Sequence, residues 1–309
     1  STHCISSAAS DVYKRQAMSK VKSIFVIFIG MVSVGLAAIF IRLCNASPLV
    51  IATYRMGLSA IFIAPLFFIL ERDKLKCLDF KKDVLPFVLL GGLLAAHFVL
   101  WISSLSYTTV LASTVLVTTN PIFVAGFSFI LFRESTKKGT IIGIIIAFVG
   151  GMIIAFSAKN IGLSINYGNF LALMGAIAVS FYLIIGKKAR KKFNLITYIF
   201  FVYSFAAAIL IIISILTRQN LFYYPKETYF YFFLLAFIPQ IIGHTAFNWA
   251  LKYFSAPFVA VTILGEPVFA TFFALIILHE TPIFIEFIGG ALILLGVYLS
   301  TRSEVWNIS

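Results

Sequence analysis

Glu266 stands in an apolar run, APFVAVTILGEPVFATFFALIIL over residues 256–278, that holds no other carboxylate. An acid near the middle of a membrane span costs roughly 2.5–3.5 kcal/mol to insert, so it must be paired, protonated or hydrated. Such a group suits binding a proton and coupling it to a solute. The competing reading is a fixed hydrogen bond that braces the backbone beside it. Pro267 follows Glu266, as Pro121 follows Asn120. Each proline removes a backbone donor and frees the carbonyl four residues earlier, Val117 and Ile263. Inside a bilayer such groups are tolerated only against protein or a water-lined cavity. One such proline is an ordinary kink. Two, each behind a polar residue, place irregular backbone beside a cavity.

Other residues can line that cavity. Gln240, His244, Asn248 and Lys252 recur at every fourth position, which on a regular helix makes one stripe. Facing lipid, the stripe would be prohibitively costly, so it must face the bundle interior. His97, Trp101 and Ser104 make a second such face. The expected solute-binding set is His97, Trp101, Asn120, Gln240, His244 and Asn248, with Glu266 as the coupling group. Trp101 and Trp249 either flank the cavity or pack. Arg55 could meet a solute carboxylate, but an arginine near an interface can snorkel. A structural or gating ion pair is the expected role, and Arg55 is grouped with Pro121 and Pro267 as kink and gating residues.

The elements that position these residues follow from composition. Of 309 residues, 61% are hydrophobic and 11% charged. Soluble domains carry about 25% charged residues to wet their surface, so most of this exterior must face lipid. Apolar runs fall at about 21–41, 48–70, 84–104, 107–132, 139–157, 167–186, 195–216, 228–251, 256–278 and 283–300. At roughly 20 residues per span these make ten helices. Ser47-Pro48, Asp83 before Pro86, and Thr281-Pro282 look like caps with a proline in the first turn. The net charge of +13 sits in short runs between spans rather than on a wettable domain, so nucleic acid is not the expected partner. Lys20, Lys22, the basic run from Arg72 to Lys82, Arg133, Lys137, Lys138, the cluster from Lys187 to Lys192, Lys252 and Arg302 all fall on one side. The opposite segments hold only Arg42, Lys159, Arg218 and Lys226. The positive-inside rule then puts both termini in the cytoplasm.

A shift of 146 residues aligns Leu105 with Leu251, Tyr107 with Tyr253, Pro121 with Pro267, and Phe123 with Phe269. It also aligns Glu134 with Glu280, Gly143 with Gly289 and Gly150 with Gly296. In this register His97 falls one residue from His244. Each half holds five spans, an odd number, so the second enters the membrane from the opposite side. The expected fold is therefore all-α and integral to the membrane, with ten transmembrane helices as two inverted five-helix repeats, N-in and C-in. The divisions are 18–160 and 161–303, with a tail at 304–309. Residues 1–17 look like an adaptor-derived leader before a start at Met18. Glu134 and Glu280 read as span-boundary residues, and Gly143, Ala147, Gly150, Gly289 and Gly296 as close-packing faces.

No phosphate-binding GxxxxGK[ST] run, zinc-hydrolase pair or nucleophile triad is present. No enzyme activity, metal or cofactor is expected. The three cysteines, Cys4, Cys44 and Cys77, lie too far apart to suggest a disulfide framework.

The stretches Tyr107–Glu134 and Gly243–Glu280 resemble the EamA repeats of the drug/metabolite transporter superfamily. In both, a polar-proline kink precedes a terminal glutamate. The glycine-rich fifth and tenth spans and the segment from Asn169 to Lys188 fit the same pattern. The first span departs from it, with Ser33-Val34-Gly35 where many relatives carry a tryptophan. The resemblance implies a ten-helix inverted-repeat carrier with a central cavity and alternating access. It also implies export of amino acids or related small polar metabolites across a bacterial or archaeal cytoplasmic membrane. A lipid or lipid-linked sugar flippase, or a non-transporting scaffold or sensor, remains the alternative.

Overall fold

The structure, a computed structural model, describes residues 22–73, 82, 84–108, 110–157, 167–277, 279 and 283–306. The leader, the Asp83 and Thr281-Pro282 caps and Glu280 lie outside these residues. We label the helices α1 Lys22–Leu43, with a turn at Leu36, α2 Pro48–Leu70 and α3 Leu85–Ser104. They continue as α4a Val110–Val117, α4b Asn120–Phe132, α5 Lys138–Ser157, α6 Tyr167–Lys192 and α7 Leu195–Leu216. The last are α8 Lys226–Ala250, α9a Ala256–Ile263, α9b Glu266–Ile277 and α10 Phe284–Thr301. Taking each broken pair as one span, nine among the described residues are long and apolar enough to cross a membrane. A shorter apolar stretch, Lys138–Ile154, lies within α5.

The polarity is that of a protein dissolved in lipid. Ile69 and Leu216 are each 76% exposed, whereas Arg55, Ser59 and Gln240 are fully buried. Water would invert this arrangement, since charged side chains are almost never fully buried in soluble domains.

Two pairs of helices with the same rank in the two halves pack together, α2 along α7 and α5 along α10, while α3 packs along α6 and α7. The α5–α10 contact is set by glycine. A methyl group added at Gly150 would lie 2.5 Å from the Gly289 carbonyl oxygen, and one at Gly143 would lie 2.5 Å from that of Gly296. Both obstacles are backbone, so neither could swing aside. The contacts are reciprocal: residue 143 meets 296 while 150 meets 289. That is the pattern of a self-complementary two-fold interface, here within one chain.

The two proline sites break their helices outright. α4 stops at Val117 and restarts at Asn120; α9 stops at Ile263 and restarts at Glu266. Each break is closed by a tighter i→i−3 bond, Thr119 N to Leu116 O at 3.2 Å and Gly265 N to Thr262 O at 3.1 Å. Those residues correspond under the 146-residue shift. So do Arg133 and His279, both left-handed at φ 53° and 56°.

Ser47 does not cap α2; its hydroxyl donates instead to Gln219 Oε1 at 2.6 Å, tying the start of α2 to the turn after α7. Ser255 does cap α9a, accepting from Phe258 N.

The middle of α8 departs most from expectation. Residues Ala236–His244 form a π-helix around Pro239. Pro239 has no N–H for the ladder, and the wider i→i+5 turn absorbs the mismatch. The loosened carbonyls find side chains: Ala236 O accepts from Ser59 at 3.2 Å, and Gln240 O from the Thr245 hydroxyl at 3.4 Å.

Candidate functional site

The breaks in α4 and α9 meet at a central cavity of about 20 Å³, the room one water molecule needs. Val117, Thr118 and Asn120 line it from the first break, and Ile263 and Glu266 from the second. Arg55 enters from α2, His97 and Trp101 from α3, and His244 from the π-segment of α8. A space this small holds no metabolite, so solute access requires the surrounding helices to separate.

Arg55 is held rigidly. Its Nε donates to Gln240 Oε1 at 3.0 Å, and its guanidinium lies 4.0 Å over the Phe98 ring. This corrects the snorkelling expectation: the side chain is fully buried and points inward. Its Nη1 and Nη2 are buried without hydrogen-bond partners. A second unmatched group is Glu266, 7% exposed, whose Oε1 also lacks a partner. The hydrogen bond that a purely bracing role would require is not made at that oxygen.

Trp101 Nε1 and Asn120 Oδ1 complete a set of buried polar atoms without partners around this one space. Buried polar atoms are normally satisfied; a concentration of exceptions marks a place built for something else to bind. His97 is oriented by Nδ1, 3.0 Å from the Gly175 carbonyl. Because a carbonyl only accepts, Nδ1 carries the proton, and in the neutral ring Nε2 is an acceptor. His97 also stacks on Trp101 at 6.2 Å, while His244 meets the edge of Phe98 at 5.3 Å. Among the described residues no His, Cys, Asp and Glu grouping could hold a metal ion.

Not all the expected residues gather here. Gln240 stands behind Arg55 rather than on the cavity wall. Asn248 belongs to a separate network, accepting from Tyr182 Oη at 2.7 Å and donating to Tyr203 Oη at 3.3 Å. Its carbonyl accepts from Arg190 Nε at 2.9 Å. Lys252 is exposed beyond the end of α8, so the four-residue stripe does not hold. The π-turn changes the helical repeat between Ala236 and His244, and α8 ends at Ala250, before Lys252. Trp249 packs on Tyr253 at 4.8 Å, and Ser104 bonds Ser113 at 2.5 Å; neither lines the cavity. Sequence reasoning missed Phe98 and the Tyr182–Asn248–Tyr203 network. Tyr182→Phe, which strips one buried donor from that network, is expected to lower stability by about 0.5–1.5 kcal/mol. Thermal unfolding in detergent would measure this, with solute selectivity unchanged.

A bundle of apolar helices, two of them broken around an enclosed polar centre, defines the class of membrane transport proteins. The chain belongs to the EamA-like transporter family, which matches residues 21–156 and again 166–302, within the drug/metabolite transporter superfamily. It is 27% identical over 238 residues to an uncharacterized transporter of Clostridium kluyveri, covering 75% of this chain and 76% of that one. It is 24% identical over 261 residues to the uncharacterized transporter YyaM of Bacillus subtilis, covering 81% and 83%. A WAT1-related protein of Arabidopsis thaliana shares 23% identity over 283 residues, with coverage of 81% and 77%. A solved crystal structure superposes with a TM-score of 0.77 over 91% of this chain and 96% of the other. At 16% identity, that shows the fold alone.

Proposed function

We propose that the protein is a secondary carrier that exports small polar metabolites, amino acids or related compounds, across the cytoplasmic membrane by alternating access. The observation that carries this reading is the cluster of partnerless buried polar atoms where the two helix breaks meet. Its two halves act as inverted repeats in an N-in, C-in arrangement. The reciprocal α5–α10 glycine contacts, the matched breaks and the one-sided basic loops support that arrangement. Residues 18–160 and 161–303 then rock against one another about the cavity. Protonation of Glu266 couples the motion to a pH gradient.

Counterflow into proteoliposomes tests this. Protein preloaded with a pooled set of unlabelled amino acids is expected to concentrate a labelled member transiently, and an imposed pH gradient to drive net uptake. Folded protein that exchanges none of them sinks the reading.

One observation favours a second reading. A lateral groove of about 430 Å³ lies between α1, α9a and α10, lined by apolar side chains such as Ile27, Phe28 and Leu294. It is the kind of opening an amphipathic or lipid solute would need. Scrambling of a fluorescent phospholipid by the reconstituted protein, with no amino-acid counterflow, would select it.

A further inference from the structure

We propose that Arg55 is the receptor for a carboxylate of the transported solute, and that Asn120 and Glu266 receive its ammonium group, so that once the surrounding helices separate the site holds an amino acid in one orientation. This rests on the carrier reading of the same site and adds which residue reads which end of the solute.

The donors and acceptors left over around the cavity have a sense. On one side of the count stand Arg55 Nη1 and Nη2 and Trp101 Nε1, all donors. On the other stand Asn120 Oδ1 and Glu266 Oε1, both acceptors. A carboxylate offers two oxygens with about four lone-pair sites and no donor. An ammonium offers three donors and no acceptor. The leftover groups match that pair.

The geometry of Arg55 narrows the match. Gln240 occupies Nε, and Phe98 fixes the guanidinium plane from below. The edge that remains is Nη1 with Nη2, a planar fork that takes both carboxylate oxygens at once. Lysine keeps the charge but cannot form the fork. Both charged residues are at least nine-tenths buried and come from different helices, α2 and the restart of α9. Neither has a hydrogen-bond partner at the atoms named, and the two charges act on each other across the cavity; a zwitterion placed between them satisfies both together. In water such contacts would be weak; at a site closed from solvent they discriminate strongly.

The test needs no variant to begin. Purified full-length protein in detergent is challenged with the twenty standard amino acids, and melting shifts are titrated. Each stabilising amino acid is then compared with its carboxamide and its 2-hydroxy acid. The carboxamide is expected to bind about ten- to a hundredfold more weakly, the loss of one charged hydrogen-bonded contact, and the 2-hydroxy acid about tenfold more weakly. Arg55→Lys is expected to weaken the acid more than its amide and so to narrow the difference between them. Equal binding of acid and amide to the wild type overturns the assignment. So does an Arg55→Lys protein that weakens both alike, or the absence of stabilisation by every amino acid. Equal binding of the 2-hydroxy acid removes the ammonium half. Binding without counterflow would sink the carrier reading and leave Arg55 as the receptor; counterflow of amides and acids alike would do the reverse.

Discussion

Glu266→Gln is expected to abolish gradient-driven uptake in proteoliposomes while leaving the protein folded. The substitution preserves shape and removes the capacity to bind and release a proton at the restart of α9. Because Glu266 Oε1 makes no hydrogen bond, no intramolecular contact at that atom is lost. A buried polar atom without a partner is a cost to the fold, so the melting temperature should stay level or rise. A contact with a charged solute group is worth roughly 1.5–3 kcal/mol, so exchange should also fall about ten- to a hundredfold. Uptake with and without an imposed pH gradient, beside a thermal melt of the same preparation, separates the roles. Intact coupling in the variant removes Glu266 from the transport cycle. Loss of folded protein assigns it to bracing the break.

Gly150→Leu should have the largest effect on folding. The first carbon of any side chain there would meet the Gly289 carbonyl at 2.5 Å, with Leu292 Cβ at 2.8 Å and Ile293 N at 2.9 Å behind it. Overpacking a well-fitted contact typically costs 1–3 kcal/mol and occasionally more. Here backbone blocks the way on every side, so the upper end of that range is expected. The α5–α10 contact is the most extensive in the molecule, and spreading it would propagate to both halves. Gly126 in α4b supplies the control, because an added methyl there meets nothing within 4 Å. Gly126→Ala is expected to be neutral or stabilising by up to about 1 kcal/mol through helix propensity. Melting temperatures of the two variants, measured side by side, decide whether close approach or glycine itself matters.

The positions of the apolar helices were legible because bilayer thickness leaves its mark directly on sequence, though the fifth, Lys138–Ile154, is shorter than a full span among the described residues. The breaks were legible too, since proline behind a polar residue has few structural meanings inside an apolar run. Four residues on the cavity wall, His97, Trp101, Asn120 and His244, stood out as polar or amphipathic groups where lipid would penalise them. Asn248 and Lys252 leave the expected stripe for different reasons, the wider turn upstream of the first and the end of α8 at Ala250 before the second. A four-residue period holds only on a regular α-helix, and Pro239, which passes for an ordinary kink residue, nucleates a wider turn. Phe98 was invisible for a different reason: the chain contains 34 phenylalanines, and only three-dimensional placement distinguishes the one beneath a guanidinium. The inward course of Arg55 could not be read from its distance to the end of α2, because snorkelling and burial depend on which neighbours lie alongside.

The position of Arg55 also bears on how the chain is made. Its hydrogen-bond partner, Gln240, lies 185 residues downstream. At a synthesis rate of about 5–20 residues per second, α2 waits roughly 10–40 s for that partner to emerge. Throughout that interval α2 must hold an arginine within the bilayer unaided, against an insertion cost of roughly 2.5–3.5 kcal/mol. Its leucines, isoleucines and phenylalanines each return roughly 0.3–0.6 kcal/mol, and the helix from Pro48 to Leu70 is rich in them. Outward-facing residues such as Ile61, Phe68 and Ile69 therefore serve the nascent chain as well as the finished protein. They keep a helix committed to the membrane before the tertiary contacts that justify its buried charge exist.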